Sequence, residues 1–563
     1  MKKIYLFLTL FFFTVQNSTA QLSLEVYDIF QNKCMSCHSN ANQQGGLDLE
    51  GTGANVALKA VNVYNNLVGK TPNTNAHAIA EGYEYIYKGR PDLSYLFRKI
   101  NGTLEPTIEL DTSVEGDQMP LNQAQLTDVE KELIRQWILL GAPAQNSDAQ
   151  LTSDYVDQIP QLVNEYYNGN GLASFPSGAP PAPDPSEGFQ VKMGPFYLNP
   201  AGQNFSEMEL FQKYALDLPA DVDVDRIDMK ISSSSHHFII YNFPTPFASN
   251  NIDPGFRADP DHSAISLTTA VQEATDLVLP AGTAFVWDND LVLDLNSHYI
   301  NYDASNTYQA EVYFNVYTQP AGTAVQEMKT DLRLKDDIFI PNNGNQYDFD
   351  KSETSAGTRY VWGLMGHTHQ WGTDYKMYLR NLDGSKGELI YDASCSLDGA
   401  PGCVSPFFDY QHIPILYFDN LYALPMNPGF IHSASYVNNG PNNVWFGPTS
   451  DDEMMVMVMM YTTDTTGLNL STSLENIEEF KQEVQVFPNP MYEEATVVLP
   501  EGMTDVRFSL FNATGQEVRR MENIYNAYAN TFTFQKNNLP RGIYFFRVED
   551  ESGKYATGKI SIE

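Results

Sequence analysis

The 563-residue chain is poor in cysteine, in basic residues and in long apolar runs, and each shortage removes a class of protein. Four cysteines are too few for a disulfide scaffold, which packs several pairs into a much shorter chain. Lysine and arginine together number 33 against 70 acidic residues, a formal net charge of -37. A surface so acidic repels phosphate backbones and anionic lipid headgroups, so neither nucleic acid nor an anionic membrane is expected as a partner. Beyond the first 20 residues no stretch has the roughly 20 apolar residues of a bilayer span, so no membrane span is expected in the mature chain.

What is present reads as a multidomain, mainly β protein. A length of roughly 150 residues per domain implies three or four separate cores. Aromatic residues make up 12%, with tyrosine prominent, a composition that favours strands. Residues 1–20 have the form of a secretory signal peptide: Lys2 and Lys3, an apolar run from Ile4 to Phe13, and a small-residue cleavage site at Ser18-Thr19-Ala20. An uncleaved anchor is the alternative, and its apolar run is short for a span. Cys395 and Cys403, eight apart in a turn-rich loop, are expected to form a disulfide in an oxidising compartment; a metal-thiolate site is the alternative.

Residues 21–150 contain Cys34-Met35-Ser36-Cys37-His38. In this C-x-x-C-H pattern two thiols form thioethers to a haem and the histidine ligates its iron. A bare C-x-x-C-H also serves redox and zinc chemistry, and three features point to haem. The chain has an export signal. Met119, in Gly116-Asp117-Gln118-Met119-Pro120, offers a second axial ligand, with His77 the alternative. Val129, Leu133, Ile134, Trp137 and Ile138 recur at helical spacing after Leu126, predicting an amphipathic helix. The segment resembles small class I cytochromes c through Gly45-Gly46-Leu47-Asp48-Leu49 and Trp137-Ile138-Leu139-Leu140-Gly141-Ala142-Pro143. That resemblance implies a small α-helical domain with haem c held by Cys34, Cys37, His38 and Met119, served by an upstream electron donor.

Residues 151–188 begin with a short helix predicted around Tyr155 to Tyr167 and then become dense in glycine, proline and serine. Proline fixes φ and lacks a donor, so this linker is expected to stay out of sheets and helix interiors, as a tether or a surface strap. Either form keeps its two flanking domains at high effective concentration.

From Phe189 the pattern changes to short alternating segments between turns, predicting two antiparallel sandwiches over 189–331 and 332–470. Five histidines and a thioether stand at four places in them: His236-His237, His298, His367-Thr368-His369, and Met454 after Asp452-Glu453. His367 and His369, two apart on extended backbone, face the same way. His236 and His237 are adjacent, so they can share a metal only where the strand ends, bulges or twists sharply; otherwise one is a buried, hydrogen-bonded histidine. Period two puts Met454 with Val456, Val458 and Met460 on one face and Met455, Met457 and Met459 on the other, and spacing alone does not select a ligand. Imidazole with a thioether favours copper. His262, His412 and His432 have no matching partner and read as structural or exposed.

In this order the motifs resemble the copper type II monooxygenases, the family of peptidylglycine alpha-hydroxylating and dopamine beta-monooxygenases, over roughly residues 186 to 465. The resemblance implies two jelly-roll-like domains, each with one of two copper ions, facing each other across a cleft. It assigns His236, His237 and His298 to an electron-storing copper, and His367, His369 and Met454 to the copper that binds dioxygen. The organic substrate, a small molecule or a polymer, is not named by any motif. Met365 stands where peptide-amidating members have arginine, and Val458 where they have tyrosine, so a glycine-extended peptide is not the expected substrate. Met455 replaces a cysteine of the family, and that disulfide is lost. Two rival readings share these residues: an extracellular haem and copper electron-transfer or copper-binding protein without an oxygenase step, and a two-sandwich carbohydrate-binding or adhesion protein.

After a spacer at 471–484, residues 485–563 alternate as a small Ig-like sandwich of about seven strands. Phe487-Pro488-Asn489-Pro490 and Gly542-Ile543-Tyr544-Phe545-Phe546 resemble the C-terminal sorting domain of the type IX secretion system. This implies a secreted or cell-surface protein and the secretion machinery as a partner; an ordinary adhesion domain is the alternative.

Overall fold

The computed structural model describes residues 21–143, 151–258, 266–394, 408–447 except 412 and 414, 451–468, 484–499, 506–512, 517–524, 531–549 and 555–563. The signal peptide, residues 471–483 of the spacer, Cys395, Cys403, His262 and His412 therefore lie outside the described residues. The chain divides into two compact units, Met1–Asn469 and Leu470–Glu563. In the described residues no helix is long and apolar enough to cross a membrane.

The first unit opens with helices Gln21–Lys33, Val56–Leu67, Tyr95–Asn101 and Asp128–Leu139. The last starts at a capping box: the Thr127 hydroxyl accepts from the Glu130 amide, and the Glu130 carboxylate accepts from the Thr127 amide at 2.8 Å. Its apolar side buries Leu133, Ile134, Trp137 and Ile138 as the helical spacing predicts. Its polar side is buried as well, because that side packs on the first sandwich rather than facing solvent. Gln136 Nε2 donates to the Pro195 carbonyl at 2.8 Å, and Arg135 is paired with Glu132 and with Glu105 at 2.8 Å. Glu105 also meets Lys192 of the sandwich, which binds Glu311 at 2.7 Å. Charges taken out of water are tolerated only when paired in this way.

The helical domain is therefore docked rather than strung like a bead, and one hydrophobic core runs from Val26 and Trp137 through Val163 to Phe196 and Phe314. The linker takes part in this. Helix Ile159–Glu165 buries Ile159, Leu162 and Val163, and Tyr155 Oη donates to the Tyr197 carbonyl at 2.9 Å. Contrary to the expectation from its glycines and prolines, Gly171–Ala173 joins a sheet, pairing in parallel with Thr307–Pro320. This stretch is free of proline and adds at an edge, where one side of the backbone needs no partner. The prolines follow it, and the Pro180 and Pro181 carbonyls accept from Gln190 and Asn315 at 3.0 Å each, so the segment is a strap on the sandwich.

Where two separate sandwiches were expected, the strands of residues 189–470 enclose two hydrophobic cores that share one sheet. A single nine-stranded sheet runs through both, in the order Leu416–Pro425, Thr358–His367, Val456–Thr462, Lys329–Leu334, Ser266–Val271, Ser235–Asn242, Val292–Ile300, Glu207–Ala215, Phe256–Arg257. At its middle Lys329–Leu334 pairs along its length with Val456–Thr462 but with Ser266–Val271 only at Thr330 and Leu267. The seam is thin, and the sheet can turn there. Behind each half lies a second sheet, built around Val222–Lys230 and Thr307–Pro320 in one case and around Gly372–Arg380 and Phe430–Val437 in the other. Met455, Met457 and Met459 fill the second core, whereas Val456 and Val458 turn the opposite way, towards Leu267 and Ala270.

The second unit, taken by itself, pairs a three-stranded sheet with a four-stranded one around Val497, Phe508, Phe534, Phe546 and Ile560.

The seam between the helical domain and the sandwich depends on glycine. A Cβ on Gly255 (φ 116°) would lie 2.6 Å from the Gly141 amide nitrogen, and one on Gly89 2.5 Å from that of Gly255. Gly255→Ala is expected to destabilise the first unit by roughly 1–3 kcal/mol, through both the left-handed φ and the forced separation of backbones. Thermal unfolding should register a midpoint several degrees lower.

Candidate metal centre

His236 and His237 lie at the start of Ser235–Asn242, opposite His298 in Val292–Ile300. The register there pairs His298 with His237 and Tyr299 with Ser235, leaving His236 as the extra residue of a bulge. The bulge removes the alternation that would point the two rings to opposite faces. His237, His298 and His236 each present a ring nitrogen within 4.8 Å of the other two.

His367 ends Thr358–His367, and His369 follows on the turn to Gly372–Arg380. Gly366 before them is demanded by packing, since a Cβ would stand 2.3 Å from the Tyr375 ring. In a flat sheet Thr358–His367 and Ser235–Asn242 would be four strand spacings apart, on the order of 19 Å. Yet the His236 ring centre is 5.4 Å from that of His367 and 5.6 Å from that of His369. The sheet folds over at its thin seam, and the two histidine groups meet. His236, His367 and His369 also present nitrogens within 4.8 Å of one another. The cleft implied by the copper-family resemblance is thus absent between these side chains: five histidines, each no more than 7% exposed, occupy one cluster.

Three of these rings have one nitrogen held by the protein. His237 Nε2 meets Asn296 Oδ1 at 2.9 Å and Glu209 at 3.3 Å, and His298 Nε2 meets Glu207 at 2.8 Å. His369 Nδ1 donates to the Asp452 carbonyl at 3.2 Å. The inner nitrogens have nothing: His236 Nδ1 and Nε2, His237 Nδ1, His298 Nδ1 and His369 Nε2 are buried without a hydrogen-bond partner. Leaving such a group unsatisfied costs about 1–3 kcal/mol. These nitrogens, with carboxylates and carbonyls orienting three of the rings from behind, belong to two triads that could each hold a metal ion. The residues fit a metal that favours imidazole.

Glu453 ties the second histidine pair in place. Fully buried, its carboxylate accepts from the amides of His369 at 3.0 Å, Trp371 at 2.7 Å and Met454 at 3.1 Å. Burial pushes its pKa up to about 8, against the lowering effect of those amides. Met454 follows directly, its carbonyl accepting from Tyr436 Oη at 2.7 Å and its side chain packing with Met365, Val456 and Val458. The half-buried Tyr410 ring lies 6.2 Å from His236. Glu207, Glu209, Asn296 and Glu453 have no role in the sequence reading. The Glu207 and Glu209 alternation on one strand, next to the strand of His298, was the available signal. His432 stays apart, buried against Tyr375 Oη at 2.7 Å.

The helical domain has its own pocket, lined by Cys34, His38, Leu47, Tyr85, Met119 and Ile134 among others. His38 Nδ1 donates to the Gln44 carbonyl at 2.9 Å, which leaves Nε2 for a metal. Cys34 and Cys37 are free thiols, and burial pushes Cys34 up to about 12. Cys34, His38 and Met119 share one apolar cavity whereas His77 is on a separate short helix near Glu81; this set fits haem c.

Residues 485–563 match the secretion system C-terminal sorting domain, so the chain is exported to the cell surface or beyond by the type IX route. No curated protein matches the chain. Among solved structures, the β-glucuronidase from Ruminococcus gnavus in complex with uronic isofagomine is 11% identical with a TM-score of 0.10, over 38% of this chain and 35% of its own. The chain thus spans about a third of that enzyme. The STIV MCP is 9% identical (TM-score 0.21, 49% of this chain and 93% of its own), and the major capsid protein P2 from Bacteriophage PM2 is 10% identical (TM-score 0.22, 50% and 99%). Likenesses this weak carry no argument about what the chain does.

Glu453→Gln keeps the shape but replaces one acceptor oxygen by a donor facing an amide. Metal affinity is expected to fall 10–100-fold with the fold retained, read by competition with a chelator of known affinity. Burial and the neighbouring rings hold His236 and His367 well below the usual histidine range, and burial first lowers His369 to about 4. The unfolded chain therefore takes up protons first. Stability of the metal-free protein should be level above about pH 6.5 and fall towards pH 4, by about 1.4 kcal/mol per pH unit for each such ring, in denaturant titrations at stepped pH.

Proposed function

We propose that the chain is a secreted copper-dependent monooxygenase whose electrons arrive through haem c held in its own helical domain. The observation that carries this reading is the convergence of His236, His237, His298, His367 and His369, with ring nitrogens of His236, His237, His298 and His369 buried and unpartnered. The motif order that resembles the copper monooxygenases supplies the reaction class. Copper held by these residues and Met454 would supply redox chemistry towards dioxygen, which with two electrons and two protons converts a C–H bond to C–OH and releases water. Haem at Cys34, Cys37, His38 and Met119 would supply electrons singly.

The chain's own residues set the conditions for this chemistry. Glu207, Glu209 and Asn296 orient the rings of His237 and His298, and Glu453 fixes the turn that carries His369. The nearly complete burial of the cluster keeps bulk water from the reducing centre. Met365 and Val458 lie with Met454, Val456, Leu267 and Ala270 in one apolar group, at positions where peptide-amidating members have arginine and tyrosine. An uncharged organic substrate suits that surface better than a carboxylate.

Dioxygen consumption by the reduced holoprotein with uncharged organic substrates tests the reading. Uptake that matches hydroxylated product is expected, with at least 100-fold loss in Met454→Ala while the haem absorption spectrum stays unchanged. Copper and haem bound in full with no product under any of these conditions would instead favour an electron-transfer protein.

A further inference from the structure

We propose that the five histidines hold two metal ions about one shared ring, His236, which ligates one ion through each of its nitrogens. The identity of the metal rests on the copper reading above; the sharing rests on the arrangement of the side chains.

His236 belongs to both triads, His236-His237-His298 and His236-His367-His369. Its ring is central, 5.0 Å from His298, 5.4 Å from His367 and 5.6 Å from His369 between centres. The protein also treats it differently from its neighbours. His237, His298 and His369 each give one nitrogen to an oxygen of the surrounding protein and keep the other free, as a ligand to a single metal does. His236 gives neither: both Nδ1 and Nε2 are buried without a partner.

One ion cannot satisfy both nitrogens of one imidazole, because they point away from each other across the ring. Two ions can. His236 then binds as imidazolate, and its remaining N–H proton leaves to solvent when the second ion enters. One ion takes His236, His237 Nδ1 and His298 Nδ1; the other takes His236, His367 and His369 Nε2. With metal–nitrogen bonds of about 2.0–2.1 Å on either side of the ring, the ions stand roughly 6 Å apart. Carboxylates balance the added charge at the first end, where Glu209 meets His237 and Glu207 meets His298. The bulge at His236 acquires a specific purpose here, since it turns the extra ring inward between the two groups instead of to the far face of the sheet.

The test is a titration of the metal-free, haem-loaded protein with Cu(II), followed by bound-copper analysis and by spin counting in the copper region of the electron paramagnetic resonance spectrum. Two equivalents are expected, with the signal growing over the first and falling by more than half as the second binds, because an imidazolate couples the two spins. His236→Ala should give copper signals that add without loss. His369→Ala, which leaves the first triad whole, should give one equivalent with an ordinary signal. A wild-type end point of one equivalent, or two equivalents whose signals simply add, overturns the proposal. Coupled copper without substrate oxidation leaves the shared ring standing and removes the monooxygenase. Product formation with uncoupled copper does the reverse.

Discussion

Five imidazole rings removed from water, four of them with buried nitrogens left unpaired, are the constraint to which the first unit is built. Such an arrangement is unfavourable for a protein alone, since each unsatisfied polar group loses its hydration and gains nothing. Local features of several kinds serve it. A bulge turns His236 beside His237, carboxylates and an amide hold the outer nitrogens, and Glu453 gathers three backbone amides around the turn bearing His369. The folded-over sheet is the large-scale counterpart, because only that turn brings the two halves face to face.

The same economy of geometry holds at the helical domain. Its junction with the sandwich is made of paired buried charges, close backbone approach at three glycines, and one continuous apolar core. Buried ion pairs contribute little net stability, yet breaking one leaves a charge without water or partner, so the junction resists sliding. A redox group in the Cys34, His38 and Met119 pocket would stand at a set distance from the histidines. That differs from a tethered domain, in which the distance would fluctuate with the linker.

Much of the local organisation was legible in the residues. The helix with Trp137, the alternating strands, the two-faced methionine run and the small terminal sandwich all follow from periodicity, which reflects how a backbone presents side chains. That His236 and His237 could face one way only at a strand end, a bulge or a sharp twist was legible for the same reason, and the structure has the bulge. The burial of Arg135 and Gln136 was not, since a polar helix face looks the same whether it meets water or another domain. Nor was the pairing of Gly171–Ala173 with a sheet, because three residues carry no period of their own.

The chain by itself determined which side chains are candidates to bind a metal or a haem, the faces they share within each strand, and the module that directs export. These are properties of single segments, set by chemistry and by the two- and 3.6-residue repeats. Tertiary structure alone decided that the two histidine groups form one cluster, that Glu207, Glu209 and Glu453 support it, and that the helical domain is fixed to the sandwich. The first of those depends on the turn of a nine-stranded sheet at a junction of one residue pair, Thr330 with Leu267, and no local pattern encodes the angle at which two sheet halves meet.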